Sequence, residues 1–309
     1  MNESQLTIPI APDNFKSGFV AIIGRPNVGK STLMNKLVGQ KIAITSPVAQ
    51  TTRNRLQGIL TTPQFQIIFV DTPGIHKPHH ELGRVLVKNA QAAIKSVDLV
   101  LFLVDSSTQA GGGDRFIIDL LQHIKTPVIL GLNKLDLQPE NYQELDDSYL
   151  QLIEQKDWSV VKFSATTGEG LENLQNILAE NLETGPYYYP PDLVTDQPER
   201  FIMAELIREQ ILLQTRQEIP HSVAISIEKI EETPKITKVF AAINVERKSQ
   251  KGIIIGNKGS MLKQIGSEAR QQIQKLITGK VYLELFVKVE PKWRQSKLRL
   301  AEFGYRVED

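Results

Sequence analysis

The sequence predicts a chain of two domains, an α/β domain with a mostly parallel, doubly wound sheet followed by a smaller α+β domain. Three observations support this fold class. Over residues 17–183, short β-branched apolar runs alternate with amphipathic stretches, as strands and crossover helices do in a parallel sheet. A proline-rich segment follows at 184–199, and residues 200–309 read in the order helix, strand, strand, helix, strand, helix. The 309 residues are enough for two hydrophobic cores.

The predicted strands of the first domain are its short apolar runs. They are Phe19–Ile23, Leu56–Leu60, Gln66–Val70, Leu99–Val104, Val128–Leu132 and Val160–Phe163. For the second domain the pattern predicts helices at 199–217, 260–277 and 293–303 and strands at 222–228, 236–244 and 281–289. Residues 1–16 lack a continuous apolar stretch, so we expect a flexible tail and not a signal peptide.

Residues 184–199 are predicted to be a linker because one glycine and four prolines lie among them. Three consecutive tyrosines, Tyr187–Tyr189, occupy the middle of this segment. Their rings could form a stacking platform for nucleic-acid bases, but packing against one domain is the simpler interpretation.

Composition limits the function classes. The chain has no cysteine, which excludes disulfides, thiolate zinc sites and cysteine nucleophiles, and no apolar run long enough to span a bilayer, so we expect a cytoplasmic protein. Residues 1–199 carry 16 basic and 22 acidic residues, net −6, whereas residues 200–309 carry 20 basic and 13 acidic, net +7. The basic half suits a polyanionic partner, although a solvated basic surface explains the charge equally well.

The segment Gly24–Ser31, read Gly-Arg-Pro-Asn-Val-Gly-Lys-Ser, follows a predicted strand and precedes a helix, the context of a phosphate-binding loop. Its glycines let backbone N–H groups converge on phosphate oxygens, Lys30 adds a full charge, and the Ser31 hydroxyl can ligate Mg²⁺. The predicted nucleotide contacts here are Gly24, Asn27, Val28, Gly29, Lys30, Ser31 and Thr32.

Two further motifs follow predicted strands. Asp71-Thr72-Pro73-Gly74 places a carboxylate where it can hold Mg²⁺ and a glycine whose N–H can reach a terminal phosphate. Asn133-Lys134-Leu135-Asp136 predicts guanine binding, because the Asp136 carboxylate can accept hydrogen bonds from both the ring N–H and the exocyclic amine of guanine. Adenine would instead turn a hydrogen-bond acceptor toward the carboxylate and leave it unpaired. The loop at Ser164 and Ala165 is placed to offer a backbone N–H to the base.

These motifs, in this order, resemble the translation-factor-related branch of the P-loop GTPase superfamily over residues 17–182. The resemblance implies GTP and GDP as ligands, Mg²⁺ held by Ser31, Thr52 and Asp71, and catalytic roles for Lys30, Thr52 and Gly74. The segment Gln50-Thr51-Thr52-Arg53 resembles the first switch of the family, in which Thr52, or alternatively Thr51, would reach Mg²⁺; a threonine-rich surface loop remains the alternative.

One position departs from the small Ras-like members. Ile75 stands where they carry a water-orienting glutamine, so we expect slow intrinsic hydrolysis. Asn27 matches the position used by potassium-dependent relatives, which implies a K⁺ ion against the phosphates. His76, His79 and His80 lie in the second switch by this alignment, and we interpret them as loop residues and not as metal ligands.

In the basic half, a Gly-x-x-Gly turn at Gly256–Gly259 lies between an apolar run and an amphipathic helix, and it resembles a KH domain of the bacterial type II. Such a turn lets the backbone approach single-stranded RNA closely. A protein-docking domain with a glycine turn is the alternative. The predicted RNA contacts are Lys251, Gly252, Ile255, Gly256, Asn257, Lys258, Gly259 and Lys263.

A GTPase domain followed by one KH domain resembles the Era-type GTPases over nearly the whole chain. That resemblance implies the 3′ end of 16S rRNA and the 30S subunit as partners, a role in small-subunit maturation, and a monomer. Two other classes remain. One is an RNA-binding scaffold with a structural nucleotide site, and the other a cell-division GTPase with a peripheral contact to the inner face of the membrane through the basic segment 288–299.

Overall fold

The computed structural model describes residues 8–46, 56–72, 74–75, 87, 91–216 and 219–303. The chain forms two compact units. The first contains residues 1–43 and 52–196, and the second contains residues 44–51 and 197–309.

The first unit is built on one sheet. Its strands are β1 Lys16–Ile23, β2 Leu56–Thr61, β3 Phe65–Asp71, β4 Leu99–Asp105, β5 Val128–Asn133 and β6 Ser159–Phe163. Among the described residues their order is β2-β3-β1-β4-β5-β6, with β2 antiparallel to β3 and every other neighbour parallel. The mostly parallel sheet is confirmed. Every residue of β3 and β5 is buried, which explains why the central strands read as continuous apolar runs.

Helices cover this sheet. They are α1 Lys30–Val38, α2 Gly112–Leu121, α3 Gln143–Ile153 and α4 Leu171–Glu180, and residues 91–95 are also helical. Ile117 and Leu121 of α2 and Tyr149 of α3 pack with Phe102 in one apolar cluster. Strand order runs outward from β1 in both directions, so β1 lies at the switch point where open α/β sheets bind ligands.

The predicted tail ends too late. Phe15 is only 1% exposed, and β1 already begins at Lys16. The ring of Tyr187 lies 4.3 Å from that of Phe15, and Tyr188 lies 5.1 Å from Phe19. Because these tyrosine rings pack against the first unit, the structure favours the packed interpretation of the tyrosines over a base-stacking platform.

The segment that follows the tyrosines lies along the outer edge of β2. The Ile59 N–H donates to the Val194 carbonyl at 2.9 Å, and the Thr195 hydroxyl donates to the Gln57 carbonyl at 2.7 Å. An uncovered edge strand would present unpaired backbone groups to other chains. The predicted linker is therefore, up to residue 196, a hydrogen-bonded part of the first unit.

The second unit is a three-stranded α+β domain. Its elements are α5 Glu199–Gln214, α6 Ile219–Ser222, β7 Ala224–Glu232, β8 Ile236–Val245, α7 Lys248–Ile255, α8 Ser260–Ile273, β9 Lys280–Val289 and α9 Lys297–Glu302. The sheet order is β7-β8-β9, with β7 antiparallel and β9 parallel to β8. Alternate residues of β8, including Val239 and Ile243, pack on the helices in one core.

The predictions for this unit need correction at four points. The predicted order has no helix between β8 and the glycine turn, but the apolar run before the turn belongs to one, α7, although its three consecutive isoleucines favour strands. The first helix ends at Gln214 and α8 ends at Ile273, both earlier than predicted. The basic C-terminal helix is split into a 3₁₀ turn, Trp293–Gln295, and α9.

Residues 44–46 were assigned by sequence to the first domain but belong to the second unit. Ile44 is part of the core of that unit, and the Thr45 N–H donates to the buried Glu209 carboxylate at 2.8 Å. Nothing in the local sequence signals this, because the two partners lie far apart along the chain.

Candidate functional site

The segment Gly24–Ser31 connects the end of β1 to α1 in a tight loop. Gly24 has to be glycine, because a Cβ there would lie 2.4 Å from the Leu103 carbonyl oxygen. Asn27 and Gly29 adopt left-handed backbone conformations, with φ of 65° and 102°. Such a loop, ending at a helix N-terminus at the switch point of the sheet, is built to bind phosphate.

Lys30 is held inside the loop. Its ammonium donates to the Gly24 carbonyl at 3.2 Å and to the Arg25 carbonyl at 2.9 Å. Burial lowers the pKa of Lys30 to about 8, and the Asp71 carboxylate only partly opposes this. A buried cation in this position gains most when a phosphate replaces its lost hydration.

Ser31 and Asp71 meet at the carboxyl ends of β1 and β3. The Ser31 hydroxyl donates to a carboxylate oxygen of Asp71 at 3.0 Å, and Asp71 is completely buried. The next hydroxyl, Thr72, donates to the Ile22 carbonyl and so fixes the turn after β3 to the end of β1. A hydroxyl and a carboxylate are the hard oxygen ligands that Mg²⁺ prefers, so this pair fits the ion. Thr32 lies half-buried in the first turn of α1.

Gly74 and Ile75 lie directly against the phosphate loop. A Cβ on Gly74 would lie 2.8 Å from the backbone of Pro26, and the Ile75 N–H donates to the Gly24 carbonyl at 3.1 Å. The Ile75 side chain is 2% exposed and packs in the core. It is therefore an anchor for this segment and supplies no group that could orient water.

Asn133 joins the phosphate loop to the loop after β6. Its side-chain amide donates to the Val28 carbonyl at 2.8 Å and accepts from the Ala165 N–H at 2.9 Å. A Cβ on Gly29 would lie 2.4 Å from the same amide nitrogen. Asn133 thus holds two predicted binding loops in register, a role different from base contact.

Asp136 and Ser164 are brought together as predicted, since the Ser164 hydroxyl donates to Asp136 at 2.5 Å. The loop differs from the prediction in one respect. The N–H of Ser164 donates to the Glu169 carbonyl and that of Ala165 donates to Asn133, so both are already used within the protein. A contact from either N–H to the base stays a prediction.

Sequence reasoning missed the groups that support the base-binding motif. Lys134, in a left-handed conformation, forms an ion pair with Asp105 at 2.5 Å. Burial alone would raise the pKa of Asp105, but hydrogen bonds from Lys134 and Ser107 lower it below its usual value. The position of Asp105 at the end of β4 was a usable signal, because Asp71 and Asn133 also end strands.

Several predicted residues lie outside the described part of the chain. They are Gln50, Thr51, Thr52, Arg53, Pro73, His76, His79 and His80. Among the residues that are described, no cluster of three or more histidine, aspartate or glutamate side chains could hold a metal ion.

The glycine turn of the second unit joins α7 to α8. Gly256 has φ of 72° and a Cβ there would lie 2.7 Å from the Met261 Cβ, so both its conformation and its surroundings require glycine. Lys258 and Gly259 are also left-handed, with φ of 48° and 81°. Asn257 and Lys258 are exposed at the tip. The turn presents its backbone to solvent, as close approach to a sugar-phosphate chain requires.

Beside the turn runs an open groove of about 440 Å³. Gly259, Leu262, Lys263 and Arg270 line one side, and residues 283–285 of β9 line the other. It brings Gly259 and Lys263 of the predicted RNA contacts together. Lys251, Gly252 and Ile255 lie on α7 outside this lining. Its lining combines the apolar Leu262, Leu283 and Leu285 with the cationic Lys263 and Arg270 and the anionic Glu284. Apolar side chains beside cations suit a single nucleic-acid strand, whereas Glu284 opposes it.

Comparison with known proteins identifies both domains. The family described as "50S ribosome-binding GTPase" matches residues 19–134, and the family described as "KH domain" matches residues 218–294. GTPase Era of Crocosphaera subtropica is 75% identical over 303 residues, which cover 98% of this chain and 96% of that protein. The chain belongs to the Era family of GTPases. The Era protein of Rippkaea orientalis is 76% identical, again over 98% of this chain and 96% of the relative.

Two solved Era structures share the fold. A single-residue variant of Aquifex aeolicus Era, described as bound to GDP.AlF4-, is 39% identical with a TM-score of 0.89 and covers 94% of this chain and 99% of its own. Era in complex with MgGDPNP and nucleotides 1506-1542 of 16S ribosomal RNA is 37% identical with a TM-score of 0.88 and the same coverage. As a member of the Era family, the chain is an enzyme that hydrolyses GTP, and its second unit is a KH domain.

Proposed function

We propose that this GTPase is a nucleotide-dependent switch that binds the 3′ end of 16S rRNA and assists maturation of the small ribosomal subunit. The observation that carries the proposal is the groove beside Gly256–Gly259, with Lys263 and Arg270 at its rim, in a chain that also contains the GTPase site. The Era relative solved with a 16S rRNA fragment supports the choice of RNA.

For hydrolysis we assign Lys30, Thr52 and Gly74 to the terminal phosphate, and Ser31, Thr52 and Asp71 to the metal. Mg²⁺ neutralises phosphate charge when it is bound. Two contacts support this assignment: the Lys30 ammonium donates to two carbonyls of the phosphate loop, and Gly74 lies against Pro26 of the same loop. With the side chain of Ile75 buried in the core, intrinsic hydrolysis is slow.

Potassium is the second ion we assign to the site, through Asn27. Asn27 is exposed in the phosphate loop in a left-handed conformation. A monovalent cation there would stabilise negative charge on the phosphates, which the apolar side chain of Ile75 cannot do. Equal hydrolysis rates in potassium and sodium buffers would exclude this role.

The membrane alternative finds little support in the basic segment 288–299. Lys288 pairs with Glu228, Arg294 with Glu246, and Arg299 with acidic neighbours. Trp293 is buried. No helix among the described residues is long and apolar enough to cross a bilayer. Flotation with acidic liposomes, with and without competing RNA, tests a peripheral contact directly.

The experiment that tests the proposal measures GTP hydrolysis and binding of a single-stranded 16S 3′-end RNA in three variants. Lys30→Ala should abolish hydrolysis. Lys258→Glu should weaken RNA binding at least tenfold, because it places a negative charge at the tip of the turn. Lys275→Glu is the matched control, since it makes the same charge change at an exposed site of the same unit outside the groove.

Gly256→Asp is a poorer test, because the structure shows that any side chain there is strained. Two outcomes contradict the proposal. If Lys258→Glu and Lys275→Glu both bind RNA as well as the wild type does, the glycine turn is not the RNA site and protein docking becomes the better function. If the protein binds the 16S 3′ end no better than an unrelated strand, the 16S assignment fails.

A further inference from the structure

The second residue of the phosphate loop, Arg25, forms an ion pair that no sequence motif predicted. Its Nε donates to Asp114 Oδ1 at 2.7 Å, and the Asp114 side chain is completely buried in the first turn of α2. The other carboxylate oxygen accepts from the Gly111 N–H at 2.9 Å. A buried carboxylate is strongly destabilising without a partner, so Asp114 keeps Arg25 at this place.

The surroundings of the Arg25 side chain hold it flat against α2. A Cβ on Gly113 would lie 2.6 Å from Arg25 Cδ, so the Arg25 side chain lies close against the first turn of α2. Burial opposes the charge of Arg25, but Asp114 raises the pKa of the guanidinium above its usual value. The buried Tyr149 interacts with Arg25 and donates its hydroxyl to the Asp105 carbonyl at 2.9 Å.

The backbone of the same residue reaches the nucleotide site. The Arg25 carbonyl accepts from the Lys30 ammonium at 2.9 Å, and the neighbouring Gly24 carbonyl accepts from both Lys30 and the Ile75 N–H. Anchoring the Arg25 side chain therefore fixes the two peptide groups that orient Lys30 and the segment after Asp71.

We propose that Asp114 is a positioning residue for nucleotide binding, which acts through Arg25 on the phosphate loop. Arg25 itself does not contact the reacting phosphates. An arginine beside the phosphates could instead stabilise the transition state, an effect worth roughly 10³–10⁵ in kcat, but the ion pair with Asp114 directs this side chain to α2. The inference rests on the assignment of Gly24–Ser31 as the phosphate loop.

The test is a double-mutant cycle of Arg25→Met and Asp114→Asn. We expect each single change to raise the Kd for GDP and for a GTP analogue by the same factor, about tenfold, with a smaller change in single-turnover hydrolysis of bound GTP. In the Arg25→Met background, Asp114→Asn should have little further effect on the Kd. Asp119→Asn, exposed on the same helix, is the matched control.

Arg25→Lys gives a second route if Asp114→Asn does not fold, because it keeps the charge without the Nε donor and should fall between wild type and Arg25→Met. A 1000-fold loss of hydrolysis by Arg25→Met with unchanged affinity would overturn the proposal, as would full additivity of the two changes. Lys30→Ala distinguishes failure of this proposal from failure of the phosphate-loop assignment on which it rests. If Lys30→Ala leaves the Kd for GDP unchanged, the loop assignment itself is wrong.

Discussion

Lys30 carries the most specific residue-level prediction. Burial lowers its pKa to about 8, and a bound phosphate raises it again because the opposite charge favours the ammonium. Nucleotide affinity should therefore be at its maximum below pH 8, where Lys30 is protonated, and fall by up to about tenfold per pH unit above it. Titration calorimetry with GDP from pH 7 to pH 10 measures this. In Lys30→Arg, whose guanidinium stays charged, the residual affinity should show no such step.

Without nucleotide, Lys30 should make folding stability depend on pH in the direction opposite to nucleotide affinity. Between about pH 8 and the usual lysine pKa of 10.5, the unfolded chain binds more protons at Lys30 than the folded chain does. The contribution of this residue to the free energy of unfolding should thus rise with pH across that window. A fall in the difference between wild type and Lys30→Met over this range would contradict the burial argument.

Gly74 should tolerate no side chain. A Cβ at this position would lie 2.8 Å from the Pro26 backbone, so Gly74→Ala must displace either the phosphate loop or the segment before Ile75. We expect single-turnover GTP hydrolysis to fall by about 100-fold. Gly112→Ala is the control, because a Cβ there has no heavy atom within 4 Å. Equal rates for both variants would show that Gly74 does not position the site.

At the residue scale, the sequence motifs identified the side chains of the site but not the partners that position those side chains. Ser31 with Asp71 and Asp136 with Ser164 are adjacent, as strand-end positions predict. The partners Asp114, Asp105 and Gln66 carry no motif, and their roles come from contacts between distant parts of the chain. The sequence also did not predict the burial of Ile75. An isoleucine in place of glutamine indicated only that the position has no group to orient water.

At the scale of elements, one buried residue of β3 binds the two tyrosines that precede the segment along β2. Gln66 is completely buried, accepts from the Tyr188 and Tyr189 N–H groups at 2.8 and 3.0 Å, and donates to the Tyr189 carbonyl at 2.9 Å. Gln66→Leu should lower the free energy of unfolding by about 3 kcal/mol, because these backbone groups lose their partners. Urea unfolding measures this loss.

Limited proteolysis gives a second measure of the same contact. Cleavage within 184–196 should become faster in Gln66→Leu, whereas Gln64→Leu, at an exposed position of the same region, should leave both measurements unchanged. Unchanged cleavage in Gln66→Leu would mean that Ile59 and Thr195 hold the segment without it. Proline content predicted a linker here, but hydrogen bonds to the sheet edge make its first part structural.

Helices and strands could be predicted from the sequence wherever apolar residues recur at a clear spacing. All six strands that the described residues of the first unit form were predicted, and the central parallel ones were continuous apolar runs. The helix α7 was missed because it is eight residues long and ends in three isoleucines. Tertiary contacts determine its form, since Ile254 and Gln250 are buried on one face of it.

At the scale of the whole molecule, the charge difference between the two halves anticipated two domains with different ligands. The acidic half contains the GTPase site and the basic half the KH groove. Composition could not show that residues 44–46 belong to the second unit.

The central claim is that the nucleotide state controls RNA binding, and a ligand can shift that equilibrium only through differential affinity. The most direct test measures the Kd for a single-stranded 16S 3′-end RNA with the protein saturated by GDP and then by a GTP analogue. We predict at least fivefold tighter binding in the GTP-analogue state, and loss of binding in both states for Lys258→Glu. Equal RNA affinity in the two nucleotide states would contradict the switch and leave two independent sites on one chain.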